Sequence, residues 1–242
     1  MARACLPQPV PTGARMSSWI DFWNRDPSIY VNERHKMLHY RGVAGDIARL
    51  IDTDGARVLD HGSGEATSAD LIAARASELV LCDAAPNTRE KIARQFAGRT
   101  KIRAVGPEDL DHFADGHFDL IIANSVLQYL DEPMLEASLA TWRRLLAPGG
   151  RLILADVIPP DVSPLTDAWA LLRFAAQGGF LGAAVVGLVR TALSDYRTLR
   201  GQLGFSTHTQ ADLLGRLDRH GFRTVRLERN IGHNPARMTF EA

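Results

Sequence analysis

Short apolar runs alternate with longer amphipathic stretches between about residues 55 and 158. The apolar runs are four to seven residues long and mostly continuous, as is typical of strands covered on both faces. They predict strands over residues 57–60, 79–82, 101–105, 118–123 and 151–157. The stretches between them predict helices over 65–76, 87–97 and 132–146. This alternation predicts βαβ units and a parallel sheet.

Residues typical of helix ends support the prediction of the third helix, over 132–146. Asp131 is a candidate N-cap, and Pro133 follows it in the first turn. The segment Ala147-Pro148-Gly149-Gly150 is a helix stop signal.

The two ends of the chain differ from this central pattern. Residues 17–52 are mostly helical in pattern, and 1–16, with three prolines, predict a disordered tail. Residues 165–200 predict a helical insert. At the C-terminus, a helix capped by Thr209 precedes two segments, 222–229 and 236–241, that predict an antiparallel pair of strands. We therefore expect one domain over residues 17–242.

The uncharged stretch from Phe174 to Val189 permits more than one interpretation. Its 16 residues fall short of the roughly 20 that a helix needs to cross a bilayer. A buried or capping helix pair, broken at Gly178-Gly179, is the interpretation that the pattern favours. A lid over a lipid-like substrate, or a surface in transient contact with a membrane or lipid, remains open.

Composition excludes several classes of protein. The chain has 242 residues, of which 45% are hydrophobic and 23% charged, which is typical of a globular protein and not of a disordered chain. Lys+Arg and Asp+Glu both number 28, so no global basic field favours nucleic acid. Two cysteines provide neither a disulfide framework nor a zinc site. We expect a cytoplasmic protein, and the dominance of arginine over lysine suggests a bacterial source.

The segment Asp60-His61-Gly62-Ser63-Gly64 follows the first predicted strand and precedes a predicted helix. Glycines let the backbone turn sharply and approach a ligand closely. The next strand ends at Asp83, where a carboxylate can accept hydrogen bonds from both hydroxyls of a ribose. Unlike the dinucleotide fingerprint, the loop carries an acid two places before its first glycine and Thr67 at the sixth position.

The chain resembles the class I S-adenosylmethionine-dependent methyltransferases in several motifs that occur in order over about residues 40–160. They are D-x-G-x-G-x-A after the first strand, the acid ending the second, Gly106-Pro107-Glu108-Asp109-Leu110 after the third, Phe118–Asn124 as the fourth, and Leu146–Leu152 leading into the fifth. Within this family, the sequence is most similar to the branch that methylates small molecules, such as the quinone- and biotin-pathway methyltransferases. The resemblance implies a Rossmann-like, mostly parallel seven-stranded sheet with an antiparallel C-terminal hairpin, an N-terminal helical segment and a helical insert.

The resemblance also implies binding roles for ten residues. Gly62, Ser63 and Gly64 would lie along the methionine moiety, with Asp60 near its amino group. Asp83 would bind the ribose hydroxyls, and Ala84 would pack on the adenine. The adenine edge would face Glu108, Asp109 and Leu110, while Asn124 would lie beside the sulfonium. Gly106 departs from the family, which often has Asp there to accept from the adenine amino group, so that either Glu108 or Asp109 would supply this contact.

Methyl transfer needs orientation and exclusion of water more than a dedicated nucleophile. Candidates on the acceptor side are Tyr30, His39 and Tyr129. His35 and His39 share one helix face, but no third ligand is evident in the sequence, and we predict no metal site. Asn230, His233 and Asn234 are equally consistent with an ordinary turn.

We therefore predict a metal-independent, S-adenosylmethionine-dependent methyltransferase that acts on a small, partly apolar molecule and releases S-adenosylhomocysteine. No nucleic-acid partner and no transmembrane segment are expected. The alternatives are an RNA or protein methyltransferase, and a non-catalytic cofactor-binding or interaction module. A nicotinamide dehydrogenase is a more distant possibility.

Overall fold

A seven-stranded sheet with helices on both faces forms the molecule in the computed structural model, which describes residues 14–25, 29–192 and 204–242. The strands are β1 (Ala56–His61), β2 (Ala76–Cys82), β3 (Ile102–Val105), β4 (Phe118–Asn124), β5 (Leu146–Val157), β6 (Val225–Leu227) and β7 (Met238–Glu241). Their order is β3-β2-β1-β4-β5-β7-β6. The first five run parallel, and β7 pairs antiparallel with both β5 and β6, which confirms the predicted fold class.

The described helices are α1 (Ala14–Asn24), α2 (Glu33–Arg49), α3 (Asp70–Ala73), α4 (Pro86–Gln95), α5 (Glu132–Leu145), α6 (Pro164–Gly178), α7 (Leu181–Ala192) and α8 (Gln210–Arg219). Two 3₁₀ turns, Pro107–His112 and Leu127–Tyr129, follow β3 and β4. The predicted caps are confirmed: Asp131 accepts from the backbone N–H of Met134, and Thr209 from that of Asp212. Most of the predicted tail 1–16 lies outside the described residues, and 14–16 belong to α1.

Side chains on the two faces of the sheet build two separate apolar cores. Leu59 and Ile121 face α5 and α8, where Trp142 and Leu217 are buried. Their neighbours along the strands, including Val58, point to the opposite face and pack under α2, α3 and α4. Because successive strand residues alternate between faces, strands covered on both sides are apolar throughout. This is why the strand runs are so clear in the sequence.

The helix predicted over 65–76 is wrong for most of its length. Only Asp70–Ala73 are helical, and β2 begins at Ala76. Ala66 has a φ of +46°, in the left-handed region, which a helix cannot accommodate. The loop is held open by the Tyr40 hydroxyl, which accepts a hydrogen bond from the backbone N–H of Glu65 at 3.0 Å. Residues 147–150, predicted to end the helix, lie within β5. There the register of the pairing between β4 and β5 shifts.

The sheet order changes direction between β1 and β4. The chain moves outward from β1 through β2 to β3, and then returns to place β4 on the other side of β1. Adjacent crossovers on opposite sides leave a crevice at the carboxyl ends of the strands, which is where open α/β sheets bind ligands. The predicted cofactor residues follow β1, β2, β3 and β4 at this edge.

Candidate functional site

One cavity of about 940 Å³ opens at the carboxyl ends of β1, β2 and β4, near the upper end of the range for small-molecule sites (roughly 300–1,000 Å³). Nine of the ten predicted cofactor residues line it: Asp60, Gly62, Ser63, Gly64, Asp83, Ala84, Glu108, Leu110 and Asn124. Asp109 does not line it. The three acceptor-side candidates, Tyr30, His39 and Tyr129, line the same cavity.

Backbone hydrogen bonds tie the glycine loop to the end of β2. The N–H groups of Gly62 and Ser63 donate to the carbonyl oxygen of Cys82 at 2.7 and 3.1 Å. Gly62 and Gly64 have φ values of +78° and +57°, and a Cβ at Gly64 would lie 2.7 Å from the Tyr40 hydroxyl. Both the left-handed backbone and the close approach therefore require glycine, as in loops that pass directly under a ligand.

Asp83 anchors this loop from the neighbouring strand. One carboxylate oxygen accepts from the N–H of Gly64 at 3.0 Å, and the other accepts from the N–H of Ala85 at 2.8 Å. Burial raises the pKa of Asp83, although these two hydrogen bonds and the charge of Arg89 oppose the shift. Each carboxylate oxygen has a second lone pair, so Asp83 can still accept from two ligand hydroxyls.

Asp60 is a buried carboxyl group at the end of β1, with 6% of its surface exposed. Burial and the negative charge of Asp83 raise its pKa to about 7. Two carboxyl groups on adjacent strand ends favour a cation between or beside them, because it would offset the cost of their desolvation. The ammonium group of a methionine moiety is a cation of this kind.

Glu108 and Asp109 play different parts beyond β3. Asp109 accepts from the backbone N–H of Gly106 at 2.8 Å and thereby caps the following 3₁₀ turn. The carboxylate of Glu108 folds back into the space that a side chain at Gly106 would occupy, and it lies 3.3 Å from the guanidinium of Arg89. Of the two acids, Glu108 is therefore placed where the resemblance expects an acceptor for the adenine amino group.

Four buried polar atoms on the cavity residues have no hydrogen-bond partner within the described part of the chain. They are Asn124 Oδ1, Gln128 Oε1, Trp19 Nε1 and Arg237 Nε. Leaving such groups unpaired costs about 1–3 kcal/mol each, so buried polar atoms in a cavity favour a polar ligand. Together with the acids and the glycine loop, they fit a nucleoside that carries an amino acid.

His61, between Asp60 and the first glycine of the loop, has a structural role. The indole N–H of Trp142 donates to His61 Nδ1 at 2.6 Å. Burial lowers the pKa of His61 to about 4, so the ring is neutral and accepts this bond at physiological pH. The pair joins α5 to the end of β1 below the glycine loop.

An aromatic cluster covers one side of the cavity. Trp19 of α1 contacts Tyr129 and Phe205, with ring centroids 4.9 and 5.4 Å apart. Trp23 contacts Tyr129 from the next turn of α1. The backbone N–H of Asn87 donates to the side chain of Asn24, so α1 also contacts α4. This arrangement places Tyr129 within an aromatic part of the cavity wall.

Three histidines and Tyr30 form a second group of rings in the cavity wall. The ring centroids of His35, His39 and His233 are 6.2–6.5 Å apart, and Tyr30 lies 5.5 Å from His39. Burial, with repulsion from His233, lowers the pKa of His35 to about 4; burial and the other two histidines lower that of His39 to about 3. Burial also lowers the pKa of His233. We call these three residues the histidine cluster.

The sequence pointed to His39 but gave only weak indications of its partners. His233 comes from the loop between β6 and β7, where Phe174 stacks on its ring at 4.7 Å. Two nearby acids, Asp156 and Asp167, oppose the lowering of its pKa. Among the described residues, no group of three or more His, Cys, Asp or Glu side chains is arranged to hold a metal ion.

Backbone strain is concentrated at the ends of β4 and β5. Ser125 and Asp156 have φ values of +58° and +55°, which are unusual for residues other than glycine. The Ser125 hydroxyl donates to Asp156 at 2.7 Å, and the Asn230 amide contacts the same carboxylate at 3.3 Å. Both residues line the cavity. Such strain persists only where the surroundings enforce it, and it is common at functional sites.

Comparison with known proteins agrees with this geometry. Residues 59–154 match the family model described as a methyltransferase domain. The chain is 30% identical over 115 residues to a ubiquinone biosynthesis O-methyltransferase of Xanthomonas oryzae pv. oryzae, covering 46% of this chain and 47% of that protein. It is 49% identical over 59 residues to highly reducing polyketide synthase 2 of Gibberella zeae, covering 22% of this chain and 2% of the synthase.

The solved structure of a DhpI–SAH complex superposes with a TM-score of 0.61 at 15% identity, covering 96% of this chain and 97% of that one. The likeness extends the common fold to nearly the whole chain. The match over residues 59–154 to a methyltransferase domain, and the shared fold, agree with the class I S-adenosylmethionine-dependent methyltransferase that the motifs predict. It spans less than half the length of the curated relatives named above.

Proposed function

We propose that this protein transfers the methyl group of S-adenosylmethionine to a small, partly apolar molecule. One observation carries the proposal: the same cavity is lined by nine of the predicted cofactor residues and by Tyr30 and the histidine cluster. A methyltransferase needs such a shared space, because the methyl donor and the acceptor must meet in line and away from water.

The cofactor, when bound, supplies the electrophilic methyl group. In the proposed arrangement, Asp60 binds its ammonium group, Asp83 its ribose hydroxyls and Glu108 its adenine amino group. Gly62, Ser63 and Gly64 pass along the methionine moiety, while Ala84 and Leu110 contact the base. Asn124, at the end of β4, would lie beside the sulfonium, and its Oδ1 has no hydrogen-bond partner within the described part of the chain.

The acceptor, in this proposal, enters beside the histidine cluster. Burial keeps His39 neutral, and its pKa of about 3 makes it a hydrogen-bond partner for the acceptor rather than a base. His233, which faces two acids, is the candidate to accept a proton from an acidic group on the acceptor. Asp156 and Asp167 would favour the protonated form of His233. Tyr30 and Tyr129 would position the acceptor rather than change its protonation.

A small acceptor is favoured over RNA or protein. The cavity is flanked by the aromatic cluster of α1, and the sequence has zero net charge, so no global basic field attracts an RNA backbone. The ubiquinone-pathway relative is named for O-methylation of a small molecule. The class of acceptor that is methylated in the test below identifies the accepting atom as oxygen, nitrogen or carbon.

The test is turnover by the purified chain. Incubation with S-adenosylmethionine labelled at the methyl group, and a panel of phenols, carboxylic acids and amines, should yield S-adenosylhomocysteine and one class of methylated product. Asp60→Asn should abolish this product. Binding of S-adenosylhomocysteine without acceptor-dependent turnover on any class would instead favour a non-catalytic module, and salt-sensitive methylation of RNA would favour the polymer alternative.

A further inference from the structure

The outward faces of α6 and α7 expose large apolar side chains. Leu165 and Trp169 of α6 are 81% and 71% exposed, and Val189 of α7 is 59% exposed. Three further side chains of α7 are about half exposed: Leu181, Val185 and Val186. Residues four apart lie on the same side of a helix, so Leu165 and Trp169 form one stripe and Leu181, Val185 and Val189 form another. We call these six residues the apolar face.

The sides of α6 and α7 that lie opposite the apolar face pack against the rest of the protein. The apolar face is therefore additional to the side that each helix buries in the fold. Ala175, Phe180 and Ala184 are buried in a small core of their own, against Leu38 of α2. A side chain at Gly187 would clash with Val31, which shows how closely α7 approaches the segment before α2. Each of the two helices therefore has two apolar sides, one packed against the protein and the other exposed to solvent.

Five of the six residues of the apolar face lie in a stretch whose charged residues are all basic, while the exposed Asp161 precedes Leu165. From Ala168 to Ser194 the sequence contains two arginines, Arg173 and Arg190, and no acid. Arg173 is exposed on α6, and the exposed Arg34 donates to the carbonyl oxygen of Gly178 at the turn between the helices. The nearest acid before this stretch, Asp167, points inward and binds Arg237 at 2.8 Å.

We infer that the apolar face docks on the surface of an anionic lipid bilayer. Leucine, valine and tryptophan side chains flanked by arginines are the composition of helices that lie in the membrane interface. The arginines complement anionic headgroups, and Trp169 has an indole suited to the headgroup level. At 15 and 12 residues, α6 and α7 are too short to span the bilayer, and none of the described helices is long and apolar enough to do so.

The position of α6 gives this docking a consequence for the site. Asp167 and Leu171 of α6 line the cavity, on the side of the helix away from Trp169. A docked protein would therefore hold the wall of its cavity against the membrane surface. The inference itself does not rest on methyl transfer, because it uses only exposure, packing and charge.

The test uses the full chain and two kinds of vesicle, phosphatidylcholine alone and phosphatidylcholine with phosphatidylglycerol at a ratio of about 7:3. The wild-type protein should co-sediment with the anionic vesicles, and much less with the neutral ones. Val189→Glu should reduce the bound fraction about tenfold, because it replaces an inserted apolar side chain by a charge that the anionic surface repels.

Val225→Glu is the matched control. Val225 is 59% exposed, as is Val189, but it lies on β6 at the far edge of the sheet. The two variants have the same charge, so a difference between them reports the location of the contact. Trp169→Ser provides a second variant on α6, and the melting shift with S-adenosylhomocysteine shows separately that each variant retains its fold and cofactor site.

Equal vesicle binding by the two glutamate variants would overturn the inference, as would a wild-type protein that binds neither vesicle. A wild-type dimer that Val189→Glu dissociates, without vesicle binding, would assign the face to a second copy of the chain. Loss of vesicle binding with retained cofactor binding would support the inference. Failure of cofactor binding alone would contradict the proposed function and leave the docking intact.

Discussion

The carboxylate of Asp83 at the end of β2 accepts a hydrogen bond from the backbone N–H of Gly64, 3.0 Å away in the loop after β1. The acid predicted to bind a ribose thus also holds the glycine loop in its left-handed conformation. The two halves of the proposed cofactor site are therefore coupled, since a change at Asp83 would alter both the proposed acceptor for the hydroxyls and the shape of the loop.

This coupling predicts a large effect of Asp83→Ala. Losing hydrogen bonds to a charged acceptor should reduce the affinity for S-adenosylhomocysteine by about 1.5–3 kcal/mol, or roughly 10- to 150-fold, measured by calorimetry. Asp218→Ala, at an exposed position of α8, is the control and should bind normally. Unchanged affinity in a folded Asp83→Ala protein would refute the assignment.

Asp60→Asn should weaken cofactor binding and stabilise the empty protein at high pH. The pKa of Asp60 is raised from 3.8 to about 7 in the fold, so the stability that this group contributes is lost as the pH rises between those values. Removing the ionisable group should therefore increase the free energy of unfolding by up to about 4 kcal/mol at pH 8. At pH 4 the two proteins should differ little.

Denaturant titrations at the two pH values, with and without S-adenosylhomocysteine, measure both effects. A variant that is equally stabilised at pH 4 and pH 8 would show that the gain does not come from the charge of Asp60. Retained affinity for S-adenosylhomocysteine would remove Asp60 from the ammonium site.

Glu108→Ala and Asp109→Ala should separate binding from capping. Glu108 lies beside Gly106 in the cavity wall, and its removal should weaken S-adenosylhomocysteine binding about three- to tenfold, as expected for one partly exposed hydrogen bond. Asp109 caps a turn, and its removal should cost about 1 kcal/mol of stability with a smaller effect on affinity. The reverse pattern would transfer the adenine contact to Asp109.

The histidine cluster predicts acid sensitivity. The pKa values of His35 and His39 are lowered to about 4 and 3, so the unfolded chain binds more protons than the fold below pH 6.5, and stability from these groups is lost as the pH falls from there. Each histidine contributes up to about 1.4 kcal/mol per pH unit.

The free energies of unfolding of wild type and His39→Gln are measured from pH 7 to pH 5. As the pH falls, the variant should become more stable relative to wild type. His112→Gln is the control, because the side chain of His112 is 82% exposed. A difference that stays constant with pH would show that His39 is not held neutral by burial.

The sheet and the cofactor half of the site could be predicted because their signals are local. Val58 and Leu59 face opposite cores, so their strand is apolar throughout, and the turn at Gly62 and Gly64 needs residues without a Cβ. The helix over 65–76 was predicted wrongly because its pattern is compatible with a helix, whereas the contact of Tyr40 with the N–H of Glu65 comes from a distant segment.

The acceptor half could be predicted only in part, because it is assembled from segments far apart in the chain. His39 and His233 are separated by 194 positions, yet their rings lie 6.2 Å apart. Nothing near His233 in the sequence distinguishes it from a turn residue. Only the pairing of β7 with β5 brings its loop over the ends of β4 and β5.

The central claim is that Asp60, the glycine loop and Asp83 together bind S-adenosylmethionine. Calorimetric titration of the purified chain with S-adenosylhomocysteine, with NADH as the comparison ligand, tests it most directly. The account predicts saturable binding of one S-adenosylhomocysteine per chain, a rise in melting temperature, and no response to NADH. Absence of both heat and melting shift with S-adenosylhomocysteine would contradict it.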